Sequence, residues 1–284
     1  MNIDLSFCRA YGFLMGIDLA AYFSRIAYSP ASEEPTLALL RELQIRHISL
    51  IPFENIDSFL GSPVDIDPAA IQDKLVHGRR GGYCHEHNSL LHDVLAALGF
   101  SVTALAARVL STVSGAPGPR VLTHRMTLVD LDEGRFVVDV GFGGQSPPAP
   151  IRLEPDREQE TPFGAYRITR NENTFDLEMK FGTPWRPLYR FNLEPQTHAD
   201  FEVANWFTST HPRSRFTQNL IVCRIAGDTR ANLLNANLSL RHRDGELEQR
   251  SLANADELAQ VLSELMGIAL PVPAAAIWSK VAIS

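Results

Sequence analysis

The chain is short of cysteine, of long apolar runs and of repetition, and each shortage excludes something. Only Cys8, Cys84 and Cys223 occur among its 284 residues. Three scattered thiols do not make a disulfide framework, and they suit a reducing compartment. No apolar run approaches the ~18–20 residues of a membrane span. Asp4 and Arg9 interrupt a weakly apolar N-terminal stretch, which makes it a poor secretion signal. The expectation is a cytoplasmic protein with no membrane partner. Excess positive charge is missing too: a net charge of -7 repels phosphate backbones and argues against nucleic acid. There is no internal repeat, no low-complexity tract, no Walker loop and no dinucleotide fingerprint.

What is present is ordinary globular composition, 45% hydrophobic and 21% charged, enough for a sizeable core. The first third reads as helical. Asp18 caps a helix with Leu19, Tyr22, Phe23 and Ile26 on one face, and Pro35 opens a second through Leu37, Leu40 and Leu43. Asp67-Pro68 starts a third that Gly78 closes. After Gly81-Gly82 a fourth begins near Cys84, carries Leu91, Val94, Leu95 and Leu98, and ends at Gly99. The middle third turns to strands: Ser101 to Leu110, His124 to Leu131, a turn at Asp132-Glu133-Gly134, and Phe136 to Val140. Tyr166–Thr169, Thr174–Met179 and Leu188–Phe191 follow as short strands. A helix near Phe201–Phe207, a hairpin at Asp244-Gly245 and a helix from Asp256 to Met266 complete an α+β order.

The segment that carries chemistry is Arg80-Gly81-Gly82-Tyr83-Cys84-His85-Glu86-His87-Asn88. Two glycines let the backbone turn and leave room beside the next side chain. A helix start at Cys84 surrounds the sulfur with unpaired N–H groups, which favour a thiolate. His124 and Asp139 flank the Asp132–Gly134 turn, so antiparallel pairing can bring them side by side as base and orienter. Plainer readings fit the same residues. A cysteine at a helix start is usually a small buried hydrophobe, His124 can satisfy a loop carbonyl, and Asp139 can join a surface ion pair. Cys84, His85, His87 and His92 also suggest zinc, but the spacing of a zinc peptidase is absent. On a helix Cys84 and His85 diverge by about 100 degrees. No metal is expected, and His87 and His92 read as surface or capping residues. Glu54 and Arg80 read as an ion pair holding the nucleophile loop.

Several blocks together resemble the arylamine N-acetyltransferases. They are Arg80-Gly81-Gly82-Tyr83-Cys84 with Glu86 and Asn88; Ile51-Pro52-Phe53-Glu54-Asn55 after His47; Val138-Asp139-Val140-Gly141-Phe142-Gly143; and Asn205-Trp206 with Ser209-Thr210 and Pro212. The resemblance implies a Cys84–His124–Asp139 triad and three domains. These are a helical bundle (1–98), a β-barrel (99–203) and, beyond an interdomain segment (204–226), an α/β lid (227–284). It implies acetyl transfer from acetyl-coenzyme A to an arylamine or arylhydrazine through acetyl-Cys84, with ping-pong kinetics and no tightly bound cofactor. Despite the acidic chain, a few local cations can hold the coenzyme's phosphates, in a cleft between barrel and lid. Thr123 is expected near the pantetheine arm, and Phe142 and Gly143 in the loop beside the site. The same triad logic serves thiol hydrolases and transglutaminase-like enzymes, and an amide synthase of antibiotic assembly keeps the chemistry with another acceptor. Two departures stand out. The residue after the nucleophile is usually a large hydrophobe in this family and here is His85. About fourteen residues precede Met15, an extension unless Met15 is the natural start. Cys8 and Cys223 read as structural.

Overall fold

A computed structural model describes residues 16–110, 121–180 and 184–282. Cys8 and the segment before Met15 lie outside them. The helices begin where the sequence supplies acceptors. The Asp18 carboxylate accepts from the Ala21 N–H at 2.9 Å and starts Leu19–Arg25. The next helix, Leu37–Leu50, starts later than Pro35 suggests. The Thr36 hydroxyl accepts from Leu39 N–H at 3.2 Å, which makes threonine the cap and leaves the proline outside. Asp67 caps Pro68–Gln72, and this helix continues through a π-helical turn, Asp73–His77, to Gly78. The Cys84–Ala97 helix ends before Gly99, whose φ of 83° supplies the left-handed residue of a helix stop.

Eight strands form one antiparallel sheet in the order β5-β4-β3-β2-β9-β8-β7-β6. They are β2 (Ser101–Val109), β3 (Leu122–Leu131), β4 (Gly134–Val138), β5 (Ile151–Arg152), β6 (Gln159–Thr161), β7 (Gly164–Asn171), β8 (Thr174–Lys180) and β9 (Trp185–Phe191). The sheet curls until Pro155, just beyond β5, bridges Ile168 of β7, so the barrel is nearly closed. Alternation decides which side chains fill it: along β8, Phe175, Leu177 and Met179 turn inward while their neighbours are partly exposed. A second antiparallel sheet runs β1-β10-β11-β12-β13. Its strands are β1 (Phe53–Glu54), β10 (Ile221–Ala226), β11 (Thr229–Leu234), β12 (Asn237–His242) and β13 (Leu247–Ser251).

The core falls into three clusters. One joins the N-terminal helices to the outer face of β2–β4, one fills the barrel, and one lies between the second sheet and the C-terminal helices. The partition follows the sequence order with crossings in both directions: Phe163, Phe201, Cys223 and Ile225 join the N-terminal cluster. Phe53 pairs with Cys223, and Ile56 and Phe59 belong to the C-terminal cluster, so the segment after the second helix packs against the second sheet and its helices. Buried Cys223 sits in this sheet, and burial pushes its thiol up to about 12. Among the described residues no helix is long and apolar enough to cross a membrane.

Candidate active site

Cys84 is the first residue of its helix and only 4% exposed. The two glycines before it are required for space, since neither has a positive φ. A Cβ on Gly81 would lie 1.9 Å from the Pro52 carbonyl oxygen, and one on Gly82 2.7 Å from the Glu86 carboxylate. Gly82 thereby lets Glu86 fold back and accept from the Tyr83 N–H at 3.0 Å, which ties down the helix start. Gly141 does the same from the other side. Its missing Cβ would stand 2.7 Å from the Cys84 Cα, so the loop after Asp139 lies directly on the Cys84 backbone.

The three residues expected to act together are brought together. His124 Nε2 donates to Asp139 Oδ2 at 2.7 Å, with both side chains buried. Since the carboxylate can only accept, Nδ1 is the nitrogen left for Cys84. The Cys84 Sγ lies 3.7 Å from the Thr123 carbonyl. The pairing differs from a cross-strand neighbour pair. β4 ends at Val138, opposite Thr127, so Asp139 lies just past the strand and reaches His124 diagonally. What holds it there is Asn88. Its amide donates to Asp139 Oδ1 at 2.9 Å and to the Arg125 carbonyl at 2.6 Å, while its oxygen accepts from Val140 N–H at 3.0 Å. Gly141 N–H adds a second donor to Oδ1 at 2.9 Å. Asn88 stood in the sequence motif without a role. Its i, i+4 spacing from Cys84 on one helix face is the signal that could have given it one.

The electrostatics follow from this contact set. Burial alone would lower the His124 pKa, but the charge and hydrogen bond of Asp139, and then those of Cys84, raise it to about 10. Burial works to raise Asp139. The His124 charge and hydrogen bond, with the bonds from Asn88 and Gly141, outweigh it and hold the carboxyl below its usual range. The ring of His124 is packed edge-on by Phe142 and tilted against Tyr189, with centroids 5.0 Å away in each case.

His87 is a correction to the sequence reading: it is fully buried, because the helix face carrying it points into the protein. It belongs to a line in which Tyr22 Oη meets His47 Nδ1 at 3.0 Å, His47 Nε2 meets His87 Nδ1 at 2.8 Å, and His87 Nε2 meets the Pro52 carbonyl at 3.1 Å. A carbonyl only accepts, so every proton in the line points towards Pro52 and both tautomers are set. His92 is half-buried, 3.5 Å from the Thr127 hydroxyl, and therefore not a free surface group. Cys84, His85, His87 and His92 face four different surroundings, and among the described residues no cluster suits a metal ion.

Burial, with neighbouring positive charge, lowers His47 well below its ordinary value. His87 falls to about 4 by burial, and His85 to about 3 by burial followed by Arg125 and His124. A depressed folded-state pKa means stability that is present above the unfolded value near 6.5 and lost as pH falls towards 4. His85 and His87 should each remove about 1.5 kcal/mol between pH 6.5 and 5, and His47 acts in the same direction. The thermal midpoint is therefore expected to fall clearly between pH 7 and pH 5, less steeply in His87→Gln. An equal midpoint at both values would contradict the buried neutral line. His124, raised, acts in the opposite sense: its contribution is present below 6.5 and is lost as pH rises through about 10.

Glu54 and Arg80 pair as expected, Nη2 to Oε1 at 2.7 Å, with Glu54 fully buried. The network is larger than the sequence suggested. Asp57 takes the other arginine nitrogen at 2.8 Å, and Lys74 bridges Asp57 and Glu86 at 2.7 Å each. Two cations thus hold three carboxylates around the helix start. Arg80→Met should remove about 3–5 kcal/mol, because Glu54 is left buried and unpaired. Chemical denaturation checks this, and an unchanged midpoint with lost turnover would instead give Arg80 a direct chemical role.

Cys84 and His124 open onto a cavity of about 690 Å³ bounded by barrel residues and by the second sheet. Thr123, Phe142 and Gly143 all line it, with Cys84 and His124. Among the described residues its walls carry Arg186, Arg213, Arg215, Arg230 and Arg241 and no carboxylate, so an acidic chain keeps cations here. Arg230 is partly committed to structure, donating to the Gly144 carbonyl at 2.8 Å.

Comparison with known proteins agrees with this geometry. A family model described as N-acetyltransferase matches residues 36–275. The arylamine N-acetyltransferase of Mycobacterium tuberculosis is 43% identical over 258 residues, 89% of this chain and 90% of that protein. The arylamine N-acetyltransferase / N-hydroxyarylamine O-acetyltransferase of Salmonella typhimurium is 36% identical over 251 residues, 88% of each. The structure of the Mycobacterium marinum arylamine N-acetyltransferase in complex with CoA superposes with a TM-score of 0.88 at 37% identity, covering 93% of this chain and 98% of that one. Matched along nearly its whole length in both sequence and fold, the chain belongs to the arylamine N-acetyltransferase family.

Proposed function

We propose that the protein transfers an acetyl group from acetyl-coenzyme A to the nitrogen of arylamines or arylhydrazines by way of acetyl-Cys84. The observation that carries this is the Asp139–His124–Cys84 line, buried at its carboxylate end and opening at its sulfur end into the arginine-lined cavity. His124 takes the thiol proton, and Asp139 balances the imidazolium. The thiolate attacks the thioester carbonyl carbon. The tetrahedral oxyanion is met by backbone N–H groups at the helix start, that of Cys84 among them. Coenzyme A leaves as its thiol, with the proton from His124. The amine nitrogen then attacks acetyl-Cys84, His124 accepts the amine proton, and the amide departs.

Thr123, Phe142 and Gly143 contact the pantetheine arm, and the wall arginines face the coenzyme's phosphates. This is supported by their place around one cavity and by the CoA complex of the M. marinum relative. The division into a helical bundle (1–98), a barrel (99–203), an interdomain segment (204–226) and a lid (227–284) is likewise a proposal, supported by the three core clusters. The sparse cysteines support a cytoplasmic setting. The test is release of free coenzyme A with and without an arylamine. Release that depends on the amine, with parallel double-reciprocal plots, is expected. Release at the same rate without amine would make the protein a thioester hydrolase.

A further inference from the structure

The line from Tyr22 through His47 and His87 to the Pro52 carbonyl takes no part in the chemistry at Cys84, since it ends on an oxygen that only accepts. All three side chains are fully buried. Burying a phenol and two imidazoles is costly even when each is hydrogen-bonded, and apolar side chains of the same shape would stabilise the region about as well. What a satisfied polar line adds is a single arrangement, because hydrogen bonds fix directions that apolar packing leaves free. The group fixed here is the His87 ring. Its Nδ1 accepts from His47 at 2.8 Å and its Nε2 donates to Pro52 at 3.1 Å, so the ring is held at both nitrogens and its plane is set.

His87 acts on Phe53 in two ways. Its bond to the Pro52 carbonyl grips the peptide plane that leads into Phe53. Its ring also lies nearly parallel to the Phe53 ring, with 6° between the planes and 6.2 Å between the centroids, an offset stack. Phe53 in turn lines the main cavity together with Cys84. Its backbone pairs with Cys223 on one side and bridges Gly82, two residues before Cys84, on the other. These pairings hold the backbone and leave the ring to its side-chain contacts. Gly143 supplies none, although a Cβ added there would stand 3.6 Å from the ring. Phe216, which shares the cavity wall, meets the ring at 6.0 Å with a tilt of 44°. The flat face of His87 therefore orients Phe53 from the protein side.

We propose that the Tyr22–His47–His87 line positions Phe53 as the wall against which the ring of an aromatic acceptor packs, an inference that rests on the acceptor class proposed above. Tyr22, at the far end, does not line the main cavity. Its hydroxyl proton nevertheless fixes the His47 tautomer. With His47 reversed, His87 would have to donate from Nδ1 and turn a lone pair on Nε2 towards the Pro52 oxygen. The direction of the line is thus set at its buried end and read out at Phe53.

The test discharges preformed acetyl-Cys84 with aniline and with hydrazine, a nucleophile that has no ring. In His87→Leu the KM for aniline is expected to rise about tenfold, the worth of one aromatic contact. Discharge by hydrazine and acetylation of Cys84 should stay within about threefold of wild type, because only binding of the ring is lost. His87→Gln, whose amide can accept from His47 and donate to Pro52, should stay close to wild type with both nucleophiles. Tyr22→Phe removes a single hydroxyl and should raise the aniline KM in the same direction, which keeps the test open if His87→Leu does not fold. An aniline-to-hydrazine ratio equal to wild type in the folded variants would overturn the proposal. So would an equal loss with both nucleophiles, or His87→Gln behaving like His87→Leu. Wild-type acetyl-Cys84 that hydrazine discharges and aniline does not would sink the proposed acceptor class and this inference with it, whereas an unchanged ratio with both nucleophiles active sinks this inference alone.

Discussion

Cys84→Ala is expected to abolish arylamine acetylation, a loss of about 10⁴-fold or more, while the fold stays intact. The magnitude follows because removing a covalent nucleophile takes away the whole two-step path, and binding and oxyanion contacts alone retain little of it. The fold should survive because Cys84 contributes one small side chain to a helix start already held by Glu86, Lys74 and Asn88. The alanine Cβ occupies space the cysteine Cβ already fills beside Gly141. Circular dichroism and steady-state turnover check the two halves. Turnover within tenfold of wild type in the folded variant would remove the covalent mechanism.

The second large effect is expected at Asp139→Asn, and the hydrogen bonds around the carboxylate say why. Oδ1 receives two donors, Asn88 Nδ2 and Gly141 N–H, both at 2.9 Å. An asparagine must therefore keep its oxygen on that side and turn its amino group towards His124. Nε2 of the imidazole then has to accept, and the proton moves to Nδ1, the nitrogen that should deprotonate Cys84. The variant is trapped in the unproductive tautomer and lacks the charge that supports the imidazolium. The same exchange in a Ser-His-Asp triad lowers kcat by about 10⁴-fold, and a loss of roughly 10³-fold or more is expected here. All the buried partners remain satisfied, so the thermal midpoint should shift far less than in Arg80→Met. Near-normal kcat in a folded Asp139→Asn protein would show that the carboxylate does not orient the base.

These two positions were legible in the sequence for different reasons. Cys84 announced itself locally, by the glycines and the helix pattern that follow it. His124 and Asp139 were placed by a turn between two strand-like runs, and the register was legible only to within a residue or two. The sequence pattern kept Asp139 inside the strand, whereas β4 stops at Val138 and an amide from the Cys84 helix holds the carboxylate. That amide illustrates what stayed hidden. Periodicity reports which face of an element is apolar, and it carries no record of which distant polar groups meet there. Gly81 is needed because of a carbonyl at Pro52, 29 positions earlier, and His87 is buried because His47 and Pro52 receive it. Read locally, a histidine in a polar stretch looked like a surface residue. The Glu54–Arg80 pair was legible as a pair, but the completing charges, Asp57 and Lys74, carried no local mark.

The most direct measurement is the mass of the intact protein after seconds with acetyl-coenzyme A and no amine, followed by peptide mapping. The expected result is one added acetyl group, about 42 Da from the composition of the group transferred in covalent catalysis, on the peptide containing Cys84, discharged when an arylamine is added and absent in Cys84→Ala. A protein that turns over arylamine yet never carries acetyl on Cys84, even under rapid quench, would contradict the covalent transfer on which the rest depends.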